Sequence, residues 1–90
     1  MIIWKYPLPG PTDEFTIKMP RNAKILCVQK QHGVPCMWAM TSGDDEVIPR
    51  VFRIIGTGNP FDDASWLQYI GTFQELEVYL VRHLFEKVVG

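Results

Sequence analysis

The sequence predicts an all-β fold, a compact antiparallel sandwich or partly open barrel of six to seven strands, and three observations carry that expectation. Turn-forming residues recur every eight to twelve positions, at Pro7–Pro11, Pro20–Asn22, His32–Pro35, Ser42–Asp45 and Gly56–Asp63, which is the rhythm of short strands rather than helices. The segments between them are rich in β-branched and aromatic residues, which pack well on a pleated surface. Several of them alternate apolar and polar residues with the period of two that a half-buried strand requires.

In chain order the strands are expected near 2–6, 14–19, 23–30, 35–41, 47–55, 67–74 and 78–86. The second, EFTIKM, alternates Phe15, Ile17 and Met19 against Glu14, Thr16 and Lys18, so one face should be wet. The third, AKILCVQ, is apolar on both parities and is expected mid-sheet, covered on both sides. A hairpin turn centred on His32-Gly33 joins it to the fourth strand. That pairing puts Val28 and Trp38 in the core, Lys30 and Gln31 near the tip, and Cys27 and Cys36 diagonally on one face. Diagonal neighbours are usually too far apart for an unstrained disulfide, so two reduced thiols are expected. Pro49 removes a ladder donor, which places that end of the fifth strand at an edge or a bulge.

The last segment, TFQELEVYLVRHLFEKVVG, carries two patterns. Thr72 with Glu75 forms a capping-box pair, and Leu76, Leu80, Leu84 and Val88 fall at helical spacing, which would give an α+β fold with a C-terminal helix over 73–89. The competing reading is a strand, with Val78, Leu80, Arg82 and Leu84 on one face and Tyr79, Val81, His83 and Phe85 on the other.

Ninety residues suffice for one domain, 1–90, burying roughly 60–65 % of the surface an unfolded chain of this size exposes. A hydrophobic content of 47 %, 21 % charged residues and a net charge of −1 describe an ordinary globule, and nucleic acid is not an expected partner. Residues 1–35 carry a net +3 and residues 36–90 a net −4, too diffuse a division to define a docking face. No secretory leader is expected from MIIWKYPL, and no apolar run reaches the roughly 18 residues of a membrane span, so the expected location is the cytoplasm.

The stretches WKYPL, MPRNAKILCVQKQHGVPCMWAM, FRIIGTGNPFDD and YIGTFQ together resemble a family of small uncharacterised proteins met mainly in bacteriophage and prophage genomes, classed as a domain of unknown function. The resemblance covers roughly residues 3–86. Family members typically end in a Gly-Gly turn followed by a strand of the type ALVFHVFE; this chain has VYLVRHLFE at the same distance from GTFQ but lacks the glycines. The resemblance implies a phage origin, a host-cell cytoplasmic setting and a C-terminal strand. It carries over no catalytic or binding residue.

RIIGTGNPFDD, residues 53–63, has the look of a phosphate loop. A phosphate loop runs into a helix N-terminus and a Walker loop adds Lys and Ser or Thr, whereas Pro60 and Phe61 follow here. Gly56 and Gly58 are therefore expected to supply positive φ at a strand end. Asp62-Asp63 and Asp44-Asp45-Glu46 lack the alternating oxygens of a calcium loop and are expected to be solvated, with Asp63 or Ser65 capping a turn. Cys27, Cys36, His32 and His83 match no metal-ligand or nucleophile spacing, so neither metal nor cofactor is expected, and the chain is not expected to be an enzyme.

The abundance of aromatics points instead to contact with another protein. The expected function is that of a non-catalytic phage accessory protein that inhibits a host protein, such as a defence component, by direct contact. Sequestration of a small nucleotide and a minor virion role are the alternatives, and self-association is an open one. The candidate binding residues are Asn59, Phe61, Asp62, Asp63 and Trp66 on the 56–66 connection, with His32 on a separate loop.

Overall fold

The computed structural model describes residues 1–10, 13–62, 66–75 and 80–88. Seven strands form: β1 (Ile2–Pro7), β2 (Glu14–Pro20), β3 (Lys24–Gln31), β4 (Val34–Thr41), β5 (Val47–Gly56), β6 (Leu67–Glu75) and β7 (Leu80–Lys87). They make two antiparallel sheets, one ordered β1-β4-β3 and the other β2-β5-β7-β6, that do not close into a barrel. The strand positions agree with the sequence reading to within two residues at each end.

The expected hairpin forms between β3 and β4. Gln31 pairs with Val34, and His32 and Gly33 both take positive φ, 51° and 81°, as a two-residue turn matched to strand twist requires. Cys27 lies opposite Trp38 and Cys36 opposite Gln29, so the two cysteines are diagonal neighbours, and both thiols are free.

The core is built from the facing surfaces of the two sheets. Val28, Met37 and Ala39 come from the three-stranded sheet, and Phe15, Met19, Phe52, Ile54, Phe73 and Leu84 from the four-stranded one. In β2 the expected alternation holds, with Phe15 and Met19 buried and Glu14, Thr16 and Lys18 exposed. Phe15 stacks on Phe52 across the β2–β5 ladder with ring centroids 5.8 Å apart.

Three expectations are corrected. β3 is not mid-sheet but lies at the edge of its sheet, beside β4. Its two apolar parities arise from a bulge between Ile25 and Cys27, where the extra residue Leu26 is exposed. The bulge lets Ile25 and Val28, of opposite parity, face the same core. Trp38 is half-buried beside Cys27 on the outer face, because the core parity of β4 is that of Met37 and Ala39. Gly56 does not take positive φ; among these two glycines only Gly58 does, at 84°. A Cβ at Gly56 would lie 2.8 Å from Asn59 Nδ2, the tip of an exposed side chain that can swing aside, so neither φ nor proximity demands glycine there.

The expectation for Pro49 holds for its end of the strand, although β5 as a whole is an interior strand between β2 and β7. Its pairing with β7 begins only at Val51, so the Pro49 end extends past its neighbour and lacks a ladder on that side. The C-terminal helix is replaced by strand: residues up to Glu75 belong to β6, and Leu80–Lys87 pair with both β5 and β6. Leu84 is fully buried while Leu80 and Val88 are exposed, so the helical spacing does not mark one buried stripe. Val78 and Tyr79 lie outside the described residues.

Candidate functional site

The sheet order dictates the character of the 57–66 connection. β5 and β6 each run antiparallel to β7, which lies between them, so they are parallel to each other and their connection has to pass over β7. The connection is pinned to the flanks of that strand. The Thr57 N–H donates to Val81 O at 3.0 Å at one end, and the Val88 N–H donates to Trp66 O at 2.7 Å at the other.

Between those pins Phe61 sits over β7, its ring tilted against Phe85 at a centroid distance of 6.4 Å. Phe85 is also met edge-on by Tyr69 of β6 at 5.6 Å. Phe61, Trp66 and Tyr69 remain 44 %, 56 % and 58 % exposed. Phe61, Phe85 and Tyr69 thus form an aromatic cluster on the outer face of the four-stranded sheet, and Trp66 is exposed where the connection enters β6.

A polar chain runs beside the aromatics. His83 on β7 is hydrogen-bonded at both ring nitrogens, Nε2 to Thr57 Oγ1 at 2.8 Å and Nδ1 to Thr72 Oγ1 at 2.9 Å. The Thr72 hydroxyl is also shared with Tyr69 OH at 2.5 Å, and Thr57 Oγ1 donates to Val81 O at 3.2 Å. With the Thr57 proton given to Val81 O, Nε2–H donates to Thr57, and Nδ1 accepts from Thr72, whose oxygen accepts in turn from Tyr69 OH. The imidazole is thereby fixed in orientation, with both nitrogens occupied by the protein's own hydroxyls rather than aimed at a substrate. Cross-strand register makes this arrangement: His83 stands opposite Thr72, and Phe85 opposite Tyr69, on one sheet face.

The expected binding residues divide. Phe61 lies on this face, and Trp66 is exposed at the far end of the connection; Asn59 and Asp62 are exposed on the same connection, Asn59 turning back so that its N–H donates to Gly56 O at 3.1 Å. Asp63 and Ser65 lie outside the described residues. His32 stands apart, at the tip of the β3–β4 hairpin on the other sheet. The acidic loop is more engaged than expected: Asp45 accepts the Asn22 N–H, Asp44 accepts from Ser42 Oγ, and Glu46 pairs with Arg21 at 3.1 Å.

Sequence reasoning missed the pair Arg50 and Glu86. Arg50 donates through Nε and Nη2 to the two carboxylate oxygens of Glu86 at 2.6 and 2.7 Å, and through Nη1 to Ala23 O at 2.7 Å. The side chains are only 13 % and 15 % exposed. The signal was present: Arg50 shares the parity of Phe52 and Ile54, and Glu86 that of Leu84, and a charge on a core-facing parity requires a partner. With its donors so occupied, Arg50 is a structural clamp.

An open cleft of about 390 Å³ lies at the end of the sandwich where the connection leaves β5, lined by Asp13, Ile54, Gly56, Thr57, Asn59, Leu80, Val81 and Arg82. It offers one cation and one carboxylate, so a nucleotide phosphate there would meet repulsion from Asp13 along with attraction from Arg82. Among the described residues no three His, Cys, Asp or Glu side chains gather as a metal-binding group, and no helix is long and apolar enough to cross a membrane.

A family model described as a domain of unknown function (DUF7352) matches residues 1–89. Neither a curated protein nor a solved structure matches the chain.

Proposed function

Since the chain belongs to the DUF7352 family, whose description names no activity, we propose from its surface that it is a non-catalytic protein-binding module that acts by occupying a partner. The observation that carries this reading is the cluster of Phe61, Phe85 and Tyr69 over β7 beside a hydroxyl-rich chain, with Phe61, Tyr69 and the nearby loop residue Trp66 all exposed. Large, stiff aromatics ringed by adaptable hydroxyls are the composition of protein-binding hot spots. The motif resemblance to phage proteins supports a phage or prophage setting and a partner in the host cytoplasm, with inhibition of a host protein as the task. The cleft at the end of the sandwich, with its opposed Asp13 and Arg82, gives the nucleotide alternative less support.

The experiment is affinity capture from a host expressing the tagged protein, run beside the double variant Phe61→Ala with Trp66→Ala. The expected outcome is a stoichiometric host protein captured by the parent and lost from the variant, with the melting temperature of the variant shifted by only a few degrees. Capture retained by a folded variant overturns the assignment of this face. A heat-released nucleotide in place of a protein overturns the proposal itself.

A further inference from the structure

The two sheets have four edge strands, β1, β3, β2 and β6, and three of them are protected. β3 and β6 cover one another: Gly71 of β6 lies against the backbone and side chain of Val28 of β3, and Lys30 bridges to Glu75 at 3.4 Å. β2 carries exposed Glu14 and Lys18 and ends at Pro20, the charges and proline by which edges commonly resist pairing. β1 is different. Among the described residues it pairs with β4 alone, in a regular register without a bulge, and it exposes Ile2, Ile3 and Trp4 at 44 %, 58 % and 50 %.

The direction of its free backbone groups follows from one hydrogen bond. Leu8 N–H donates to Pro35 O at 2.9 Å, continuing the register in which Pro7 stands opposite Cys36. Leu8 and Pro35 are thus a hydrogen-bonded position of the ladder, and so, at intervals of two, are Tyr6, Trp4 and Ile2. Ile3, Lys5 and Pro7 therefore turn their N–H and C=O groups away from β4, toward the open edge. Pro7 has no N–H to offer there, which bounds the pairing surface to the Ile3 and Lys5 donors.

We propose that this edge pairs with the same edge of a second copy, joining two three-stranded sheets across a two-fold axis into one sheet ordered β3-β4-β1-β1-β4-β3. An antiparallel strand pair about a two-fold axis is self-complementary by construction, so each residue meets its own counterpart set. Centred on Trp4, the pairing puts Ile3 opposite Lys5 of the other copy twice over, and both residues have outward N–H and C=O groups to exchange. Trp4 then faces Trp4 at a position without backbone bonds, where side chains approach most closely, and Ile2 lies opposite Tyr6. Centring on Lys5 instead would oppose two ammonium groups, and centring on Ile3 would leave Tyr6 and Pro7 unpaired. Charge favours a second copy as occupant: the strand's one charged residue, Lys5, meets Ile3, and the chain's net charge of −1 gives little overall repulsion.

Sedimentation velocity over a concentration series up to about 1 mM is expected to show a monomer shifting to a dimer. Ile3→Pro removes an outward N–H while sparing the bonds to β4, and is expected to abolish the shift with an unchanged far-UV spectrum. Independently, Trp4→Cys under mild oxidation is expected to yield a disulfide-linked dimer several-fold above the parent, which already carries Cys27 and Cys36, and above Lys5→Cys, which faces Ile3 in this register. A parent that stays monomeric throughout overturns the proposal and leaves the edge to a strand of another protein. So does a dimer indifferent to Ile3→Pro, or cross-linking equal at positions 4 and 5.

Discussion

Gly71 and Val28 meet where the two sheets close on each other: a Cβ on Gly71 would lie 2.8 Å from Val28 Cγ1 and 3.6 Å from the Val28 backbone nitrogen. The approach brings the edge strands β3 and β6 together, and each is bulged, β3 between Ile25 and Cys27 and β6 between Tyr69 and Gly71. Val28 is β-branched and buried, so it has little room to yield. Gly71→Ala is expected to lower the free energy of unfolding by about 1–3 kcal/mol, measured by urea titration. In a Val28→Ala background the added cost of Gly71→Ala should be smaller than in the parent if this one clash is the cause.

Arg50 and Glu86 are expected to behave as a clamp whose halves are costly to separate. Arg50→Met leaves the Glu86 carboxylate without its bidentate partner at a site only 15 % exposed. A loss of about 2–4 kcal/mol follows, slightly under the 3–5 kcal/mol of a fully buried pair because some water reaches both groups. The double variant Arg50→Met with Glu86→Leu should be more stable than Arg50→Met alone. Denaturant midpoints of the two singles and the double close that cycle.

Phe52 and Trp38 offer a paired test of which face of each sheet is core. Phe52 is fully buried and stacked on Phe15, so Phe52→Ala is expected to cost about 3–5 kcal/mol. Trp38 is half-buried on the outer face, and Trp38→Ala should cost clearly less despite the larger side chain removed. Equal losses in thermal or urea unfolding would contradict the assigned faces.

Gly33 tests the hairpin turn. Its φ of 81° suits glycine, while no atom stands within 4 Å of an added Cβ. Gly33→Ala should therefore act through backbone strain alone, costing about 1–2 kcal/mol. His32, at φ 51°, already bears part of that strain, and His32→Gly is expected to raise the unfolding midpoint slightly.

The strands were legible because turn residues delimit them and because β2 follows strict alternation. The faces were less so. At Leu26 and Ile70 one extra residue reverses the parity, and a continuous apolar run gives no sign of whether it is covered on both sides or bulged. β7 was ambiguous because Leu80, Leu84 and Val88 fit a helix as well as a strand; pairing with two neighbours at once decides it, and that is a tertiary fact. Phe61 and Trp66 could be picked out as unusual loop residues. The outer-face residues His83, Thr72 and Tyr69 could not, since only the β6–β7 register brings them to one face. The Arg50–Glu86 pair spans 36 positions, and its members lie on adjacent strands only once β7 has been threaded between β5 and β6.

That threading also sets the order in which the protein can assemble. β7 is made after both of the strands it separates, so as the chain leaves the ribosome β5 and β6 wait with unsatisfied edges, and the Phe61 connection has nothing to lie on. Leu84, at the middle of the core, arrives with the same late strand. Folding of this domain is thus held back until β7 has been made, and it proceeds through distant pairings of the kind that take milliseconds to seconds. A nascent chain halted before Leu80 would display two sticky strands to its neighbours, which makes the timing of translation, and the crowding of other nascent chains, a determinant of yield.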